Sequence, residues 1–168
     1  MKDILRLLSL LLIALSAASC ERDDICIDDV TPKLIIRFYD SENPELFKQV
    51  VNLKVNITGT DGDYTNETIT TLTDSIALPI NVNLDLTRYM LTLQGSEALE
   101  TEDNTDYLQI TYTQEDLFVS RPCGFEAIFN GVRPELEADD DNWIDLIVLQ
   151  SDPLDITNEN SAHVKIYH

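Results

Sequence analysis

Between Ser75 and Leu86 every second residue is a large aliphatic. Ile76, Leu78, Ile80, Val82, Leu84 and Leu86 are interleaved with Ala77, Pro79, Asn81, Asn83 and Asp85. Successive side chains of a strand point to opposite faces, so this period of two reads as a strand with one buried face, not an amphipathic helix. Pro79 falls on the outward phase and has no N–H to donate, which predicts an edge strand or a bend at that residue. The same period runs through Leu34, Ile36 and Phe38 against Lys33, Ile35, Arg37 and Tyr39. It returns in Val51, Leu53, Val55 and Ile57 against Asn52, Lys54, Asn56 and Thr58.

Further strand candidates are Tyr89–Gln94, Tyr107–Thr113, Leu117–Ser120, Phe125–Asn130, Trp143–Gln150 and Ala162–Tyr167. Asp61-Gly62 lies between two threonine- and apolar-rich runs and predicts a hairpin turn. Turns also fit Glu42-Asn43-Pro44, Gly95-Ser96, Gly131 to Pro134 and Ser151-Asp152-Pro153, while Glu97–Asp106 and Pro134–Asn142 read as acidic loops. A chain of 168 residues with 43% apolar content has room for one packed domain. About nine strands at turn spacings near ten residues predict a single antiparallel β-sandwich, Ig-like or transthyretin-like, over residues 33–168.

The first nineteen residues read as a signal peptide. Lys2 and Arg6 supply a short cationic region, Leu7–Leu15 an apolar stretch, and Ser16–Ser19 a run of small residues. The apolar run is too short to cross about 30 Å of hydrocarbon as a helix. Ala17-Ala18-Ser19-Cys20 resembles a bacterial lipobox, although Ala17 stands where that motif prefers leucine, and ordinary cleavage to a secreted protein is the alternative. The resemblance implies acylation of Cys20, hence membrane attachment through lipid chains. Residues 20–32 then form an acidic tether. Within it Glu21, Arg22, Asp23 and Asp24 resemble the short export signal that carries Bacteroidetes lipoproteins to the cell surface; the same residues also read as a solvated spacer.

With Cys20 set aside, Cys26 and Cys123 remain. In an oxidising envelope compartment an even remainder points to a disulfide, closing a loop of about 97 residues. The rival is a reactive thiol, which needs a histidine base nearby, and the two histidines, His163 and His168, come late in the chain.

Several segments together resemble a known family. They are the lipidated cysteine with its acidic stretch and Cys26, Thr31–Asp40 (TPKLIIRFYD), Ser75–Asn81 (SIALPIN), Val119–Phe125 (VSRPCGF) and His163–Tyr167 (HVKIY). In combination they resemble an uncharacterised lipoprotein family of Bacteroidetes, known only as a domain of unknown function. The resemblance implies an outer-membrane lipoprotein, on the periplasmic face or the cell surface. It carries no activity, substrate or catalytic residue.

Charge narrows the function classes. The chain has 31 acidic and 11 basic residues, a formal charge of −20, and loss of residues 1–19 would leave −21. Such a chain is a poor binder of nucleic acid or anionic lipid by charge alone. Carboxylates are so abundant that a glycosidase-like pair has no diagnostic value, and no catalytic residue is assigned. Calcium, which takes 6–8 oxygen ligands, suits Asp61 and Asp63 in one loop and Asp139 and Asp141 in another, so a weak calcium site is the candidate for an otherwise cofactor-free protein. Neither loop has the EF-hand pattern. Zinc is disfavoured, because His163 and His168 fall on opposite phases of a strand and the cysteines are otherwise engaged. His163 reads as an outward polar residue and Trp143 as a core residue. The expected protein is a non-enzymatic structural or accessory binding module whose partner is another envelope protein; the alternative is a calcium-assisted glycan-binding surface module.

Overall fold

The structure is a computed structural model that describes Cys26 and residues 31–58, 64–94 and 102–168. It is all-β, with ten strands and no helix among the described residues. The strands are β1 (Leu34–Tyr39), β2 (Val50–Thr58), β3 (Tyr64–Thr73), β4 (Ser75–Leu78), β5 (Leu86–Leu93), β6 (Asn104–Ser120), β7 (Gly124–Leu136), β8 (Leu146–Leu149), β9 (Leu154–Ile156) and β10 (Val164–Tyr167). They form a four-stranded sheet in the order β4-β1-β10-β8 and a six-stranded sheet in the order β3-β2-β5-β6-β7-β9.

One hydrophobic core joins the two sheets. Leu34, Ile36 and Phe38 of β1 and Val164 and Ile166 of β10 enter it from the small sheet; Leu53, Tyr89, Leu91, Ile110 and Phe129 enter it from the large one. All ten are fully buried. Each such side chain contributes about 1.5–3 kcal/mol relative to exposure, which is why period two dictates the faces so firmly. Pro32 is already buried at the head of β1.

Several boundaries differ from the sequence reading. The small sheet is mixed rather than antiparallel: β1 and β10 run parallel, with Ile36 opposite Val164 and Phe38 opposite Ile166. In β2 the alternation inverts at Asn52, whose φ is +54°. Val50 is consequently buried (1% exposed) and Val51 points out (55%), the reverse of the simple pattern. Asparagine tolerates this left-handed conformation better than other non-glycine residues.

The long run from Ile76 divides at Pro79. β4 is an edge strand and ends there, and Val82 and Leu84 lie exposed in a turn. Buried hydroxyls hold that turn. Tyr89 donates to the Pro79 carbonyl (2.9 Å), Tyr112 donates to the Asn81 carbonyl (2.6 Å), and the Asn81 N–H donates to Thr87 Oγ1 (2.9 Å). Burial raises the pKa of both tyrosine hydroxyls, which keeps them protonated donors.

Tyr107–Thr113 and Leu117–Ser120 are one continuous strand, β6, paired with an equally unbroken β7. Gly131, expected in a turn, instead makes a bulge inside β7. Thr111 pairs with Arg133 and Thr113 with Asn130, so two residues of β7 oppose one of β6, and Gly131 has φ +61°. Its N–H is taken by Asp155 Oδ1 (2.8 Å). The turn at Ser151–Pro153 is present and leads from β8 in one sheet to β9 in the other.

Candidate functional site

The outward face of the small sheet concentrates aromatic and basic groups. With Leu34, Ile36 and Phe38 turned inward, alternation turns Ile35, Arg37 and Tyr39 outward. Register then sets Tyr39 beside Tyr167 and Leu146 in one row, and Arg37 beside Lys165 and Val148 in the next. The Tyr39 ring lies 5.3 Å from Tyr167 and 5.0 Å from Phe47, which a single bridge brings in from the following loop. Arg37 stacks 4.0 Å above the Phe47 ring, and the Lys165 ammonium stands 5.4 Å from that of Tyr39. Arg37 also approaches Asp74 at 3.8 Å, a half-exposed pair of little energetic weight.

Beside this platform the sheet stops. Among the described residues β8 has a neighbour on one side, β10, and its outward residues Leu146 and Val148 are exposed. The arrangement offers stacking area, two cations and an open strand edge. An open edge is a template for an added strand from a partner.

At the other end of the molecule Cys26 is bonded to Cys123, with their Cα atoms 4.9 Å apart, as the cysteine count anticipated. Cys123 lies in the turn between β6 and β7. Cys20, Glu21, Arg22, Asp23 and Asp24 lie outside the described residues, as do Asp61 and Asp63. Asp139 and Asp141 are described, and their loop uses its side chains on its own backbone. Asp139 Oδ1 accepts the Asp141 N–H (3.1 Å), Asn142 Oδ1 accepts the Asp139 N–H (2.9 Å), and the Asn142 amide donates to the Glu137 carbonyl (3.1 Å). Among the described residues no three His, Cys, Asp or Glu side chains converge as a metal site. A shallow cleft of about 340 Å³ on the large sheet is lined by Arg88, Tyr107, Gln109, Glu135 and Glu137, with Arg88 Nε donating to Gln109 Oε1 (2.9 Å).

A family model for DUF6452, a family of unknown function, matches residues 52–168. The chain belongs to the DUF6452 family. That match leaves β1 and Cys26 outside its span, although β1 is an interior strand of the small sheet in this DUF6452 protein. No curated protein and no solved structure matches the chain.

Two buried polar residues of the DUF6452 domain were not apparent from sequence. Asp106, expected in an acidic loop, is fully buried in β6. Its carboxylate accepts the N–H groups of Trp143 (3.3 Å) and Ile144 (2.9 Å), which fixes the approach to β8. Burial raises its pKa, and those N–H groups oppose the rise. His163, expected to face outward, is 7% exposed. Its Nδ1 accepts the Ile35 N–H (2.9 Å), Nε2 donates to the Asn158 carbonyl (2.8 Å), and its own N–H donates to the Ile35 carbonyl (2.8 Å). The reason is the β1–β10 pairing, which places His163 against β1 and leaves Ile35's N–H to be satisfied by a side chain. Trp143 packs against the core as anticipated, half-buried, with its indole N–H on the Leu91 carbonyl (3.0 Å).

Proposed function

We propose that this protein is a non-enzymatic, lipid-anchored binding module of the outer envelope, built as an Ig-like or transthyretin-like sandwich. It is held to the outer membrane through an acylated Cys20, on the periplasmic face or the cell surface. Its partner is another envelope protein, which adds an extended strand to the β8 edge and lays side chains across the Tyr39–Tyr167 platform. The observation that carries this reading is the coincidence of an open strand edge with the aromatic, basic face beside it. On a chain of net charge −20, Arg37 and Lys165 give that face positive charge, suited to apolar or acidic partner residues.

A photo-cross-linking residue at Val148 in living cells tests it. The expected product is a discrete adduct with one envelope protein, lost when Leu146→Lys places a charge on the strand edge. An adduct that survives L146K, or none at all from a folded and membrane-attached protein, would sink the proposal.

A further inference from the structure

The β6–β7 hairpin outruns its sheet. Pairing of β6 with β5 stops at Thr111 opposite Leu86, whereas pairing with β7 continues to Ser120 opposite Gly124. Among the described residues its far end is a two-stranded ribbon projecting past the core. Phe118 and Phe125 face each other across it, edge to face, with centroids 5.5 Å apart. They continue the phase that carries Ala127 and Phe129 into the core, yet they are 61% and 64% exposed. Leu117, on the other face of the ribbon, is exposed as well. An isolated exposed apolar residue needs no explanation, but a cluster at a projecting tip marks a contact.

We propose that this tip is a membrane-contacting wedge, with the Phe118 and Phe125 rings seated at the headgroup–acyl boundary of the bilayer that anchors the chain. The inference rests on the reading of Cys20 as acylated. Six peptide steps separate Cys20 from Cys26, about 22 Å at full extension. The disulfide then joins Cys26 to the very turn that carries the ribbon. Acyl chains in the bilayer therefore hold the tip within that reach of the lipid, and a short tether gives a weak contact a high effective concentration. The tip carries Glu115, Asp116 and Glu126 against Arg121, so its attraction to a bilayer is apolar insertion rather than charge. The aromatic platform around Phe47 lies at the opposite end of β1 from β4's Leu78, away from the ribbon, and stays free for a protein partner.

The test uses protein purified from membranes with its own N-terminus, reconstituted into phosphatidylethanolamine–phosphatidylglycerol vesicles with brominated acyl chains. Bromine quenching is read from F118W and from F47W, with the Trp143 emission of the unsubstituted protein subtracted, and the mass of the N-terminal peptide reports Cys20 acylation. F118W is expected to lose about half its emission, as for a ring about 5–10 Å below the headgroups, with F47W unchanged. An L117W reporter is expected to be quenched too, and to recover in an F118S/F125S background whose urea midpoint is unaltered. Acylated Cys20 with unquenched F118W and L117W overturns the wedge and leaves the anchor standing; cross-links between copies through the tip would then assign the pair to self-association. Unmodified Cys20 overturns the anchor and the wedge together.

Discussion

Replacing Cys26 and Cys123 with serine removes the covalent link between Cys26 and the β6–β7 turn. In the unfolded chain that bond closes a loop of 97 residues, which the chain-entropy treatment values at about 4.7 kcal/mol at 25 °C. Residual structure in the unfolded chain lowers that figure, so the net stabilisation expected is about 2–5 kcal/mol. Urea unfolding of the oxidised protein and of C26S/C123S measures it. The serine variant should also show a steeper denaturant dependence, because its unfolded ensemble is more expanded. A loss under about 0.5 kcal/mol would refute the reasoning, leaving the cross-link with no loop to restrict.

Asp106→Ala strands the buried N–H groups of Trp143 and Ile144 and is expected to cost about 2–5 kcal/mol in urea unfolding, with Asp106→Asn milder because one acceptor survives. Burial lowers the pKa of His163 and of His168, and protonation of His163 would abolish the acceptor for the Ile35 N–H. The folded-state pKa thus lies below the unfolded value of about 6.5, so this contribution is complete above that pH and is lost as pH falls beneath it. The urea midpoint should drop between about pH 7.5 and about pH 5.5, with a shallower drop in His163→Gln; a midpoint that rises on acidification contradicts this. Gly131→Ala meets no atom within 4 Å of the new Cβ, so its cost is that of the left-handed backbone, about 1–2 kcal/mol by thermal or urea unfolding.

Period two made much of the fold legible. Leu34, Ile36 and Phe38 are buried as their alternation requires, and Pro79 ends an edge strand for the reason its missing N–H supplies. What escaped was set by longer-range events. Asn52 inverts the phase of β2 through one backbone angle, which residue type permits but does not announce. Gly131 carries the same glycine signal whether it turns a chain or bulges a strand, and only pairing with β6 decides between them. Asp106 sits in an acidic stretch on the phase of Leu108 and Ile110, but a carboxylate there reads as exposed until residues 143 and 144 cross and bring N–H groups to it. The platform was invisible for a similar reason. Arg37, Phe47, Lys165 and Tyr167 are scattered along the chain, and strand register brings them together. The cysteine pairing, by contrast, was legible from the count left after Cys20 was set aside and from the oxidising compartment expected.

The parallel pairing of β1 with β10 has a consequence in time. Ile35 bonds to His163, 128 residues further along, and β1 is flanked in its sheet by β4 and by that late strand. A chain emerging N-terminus first from a ribosome can form β2, β3, β5 and β6 as neighbouring hairpins while β1 still lacks one side. Closing a loop of that length is entropically slow and has no partner to reward it until β10 arrives. The small sheet is therefore completed last, and the outward platform it carries comes into being in the same step. Incomplete chains cannot display that surface prematurely.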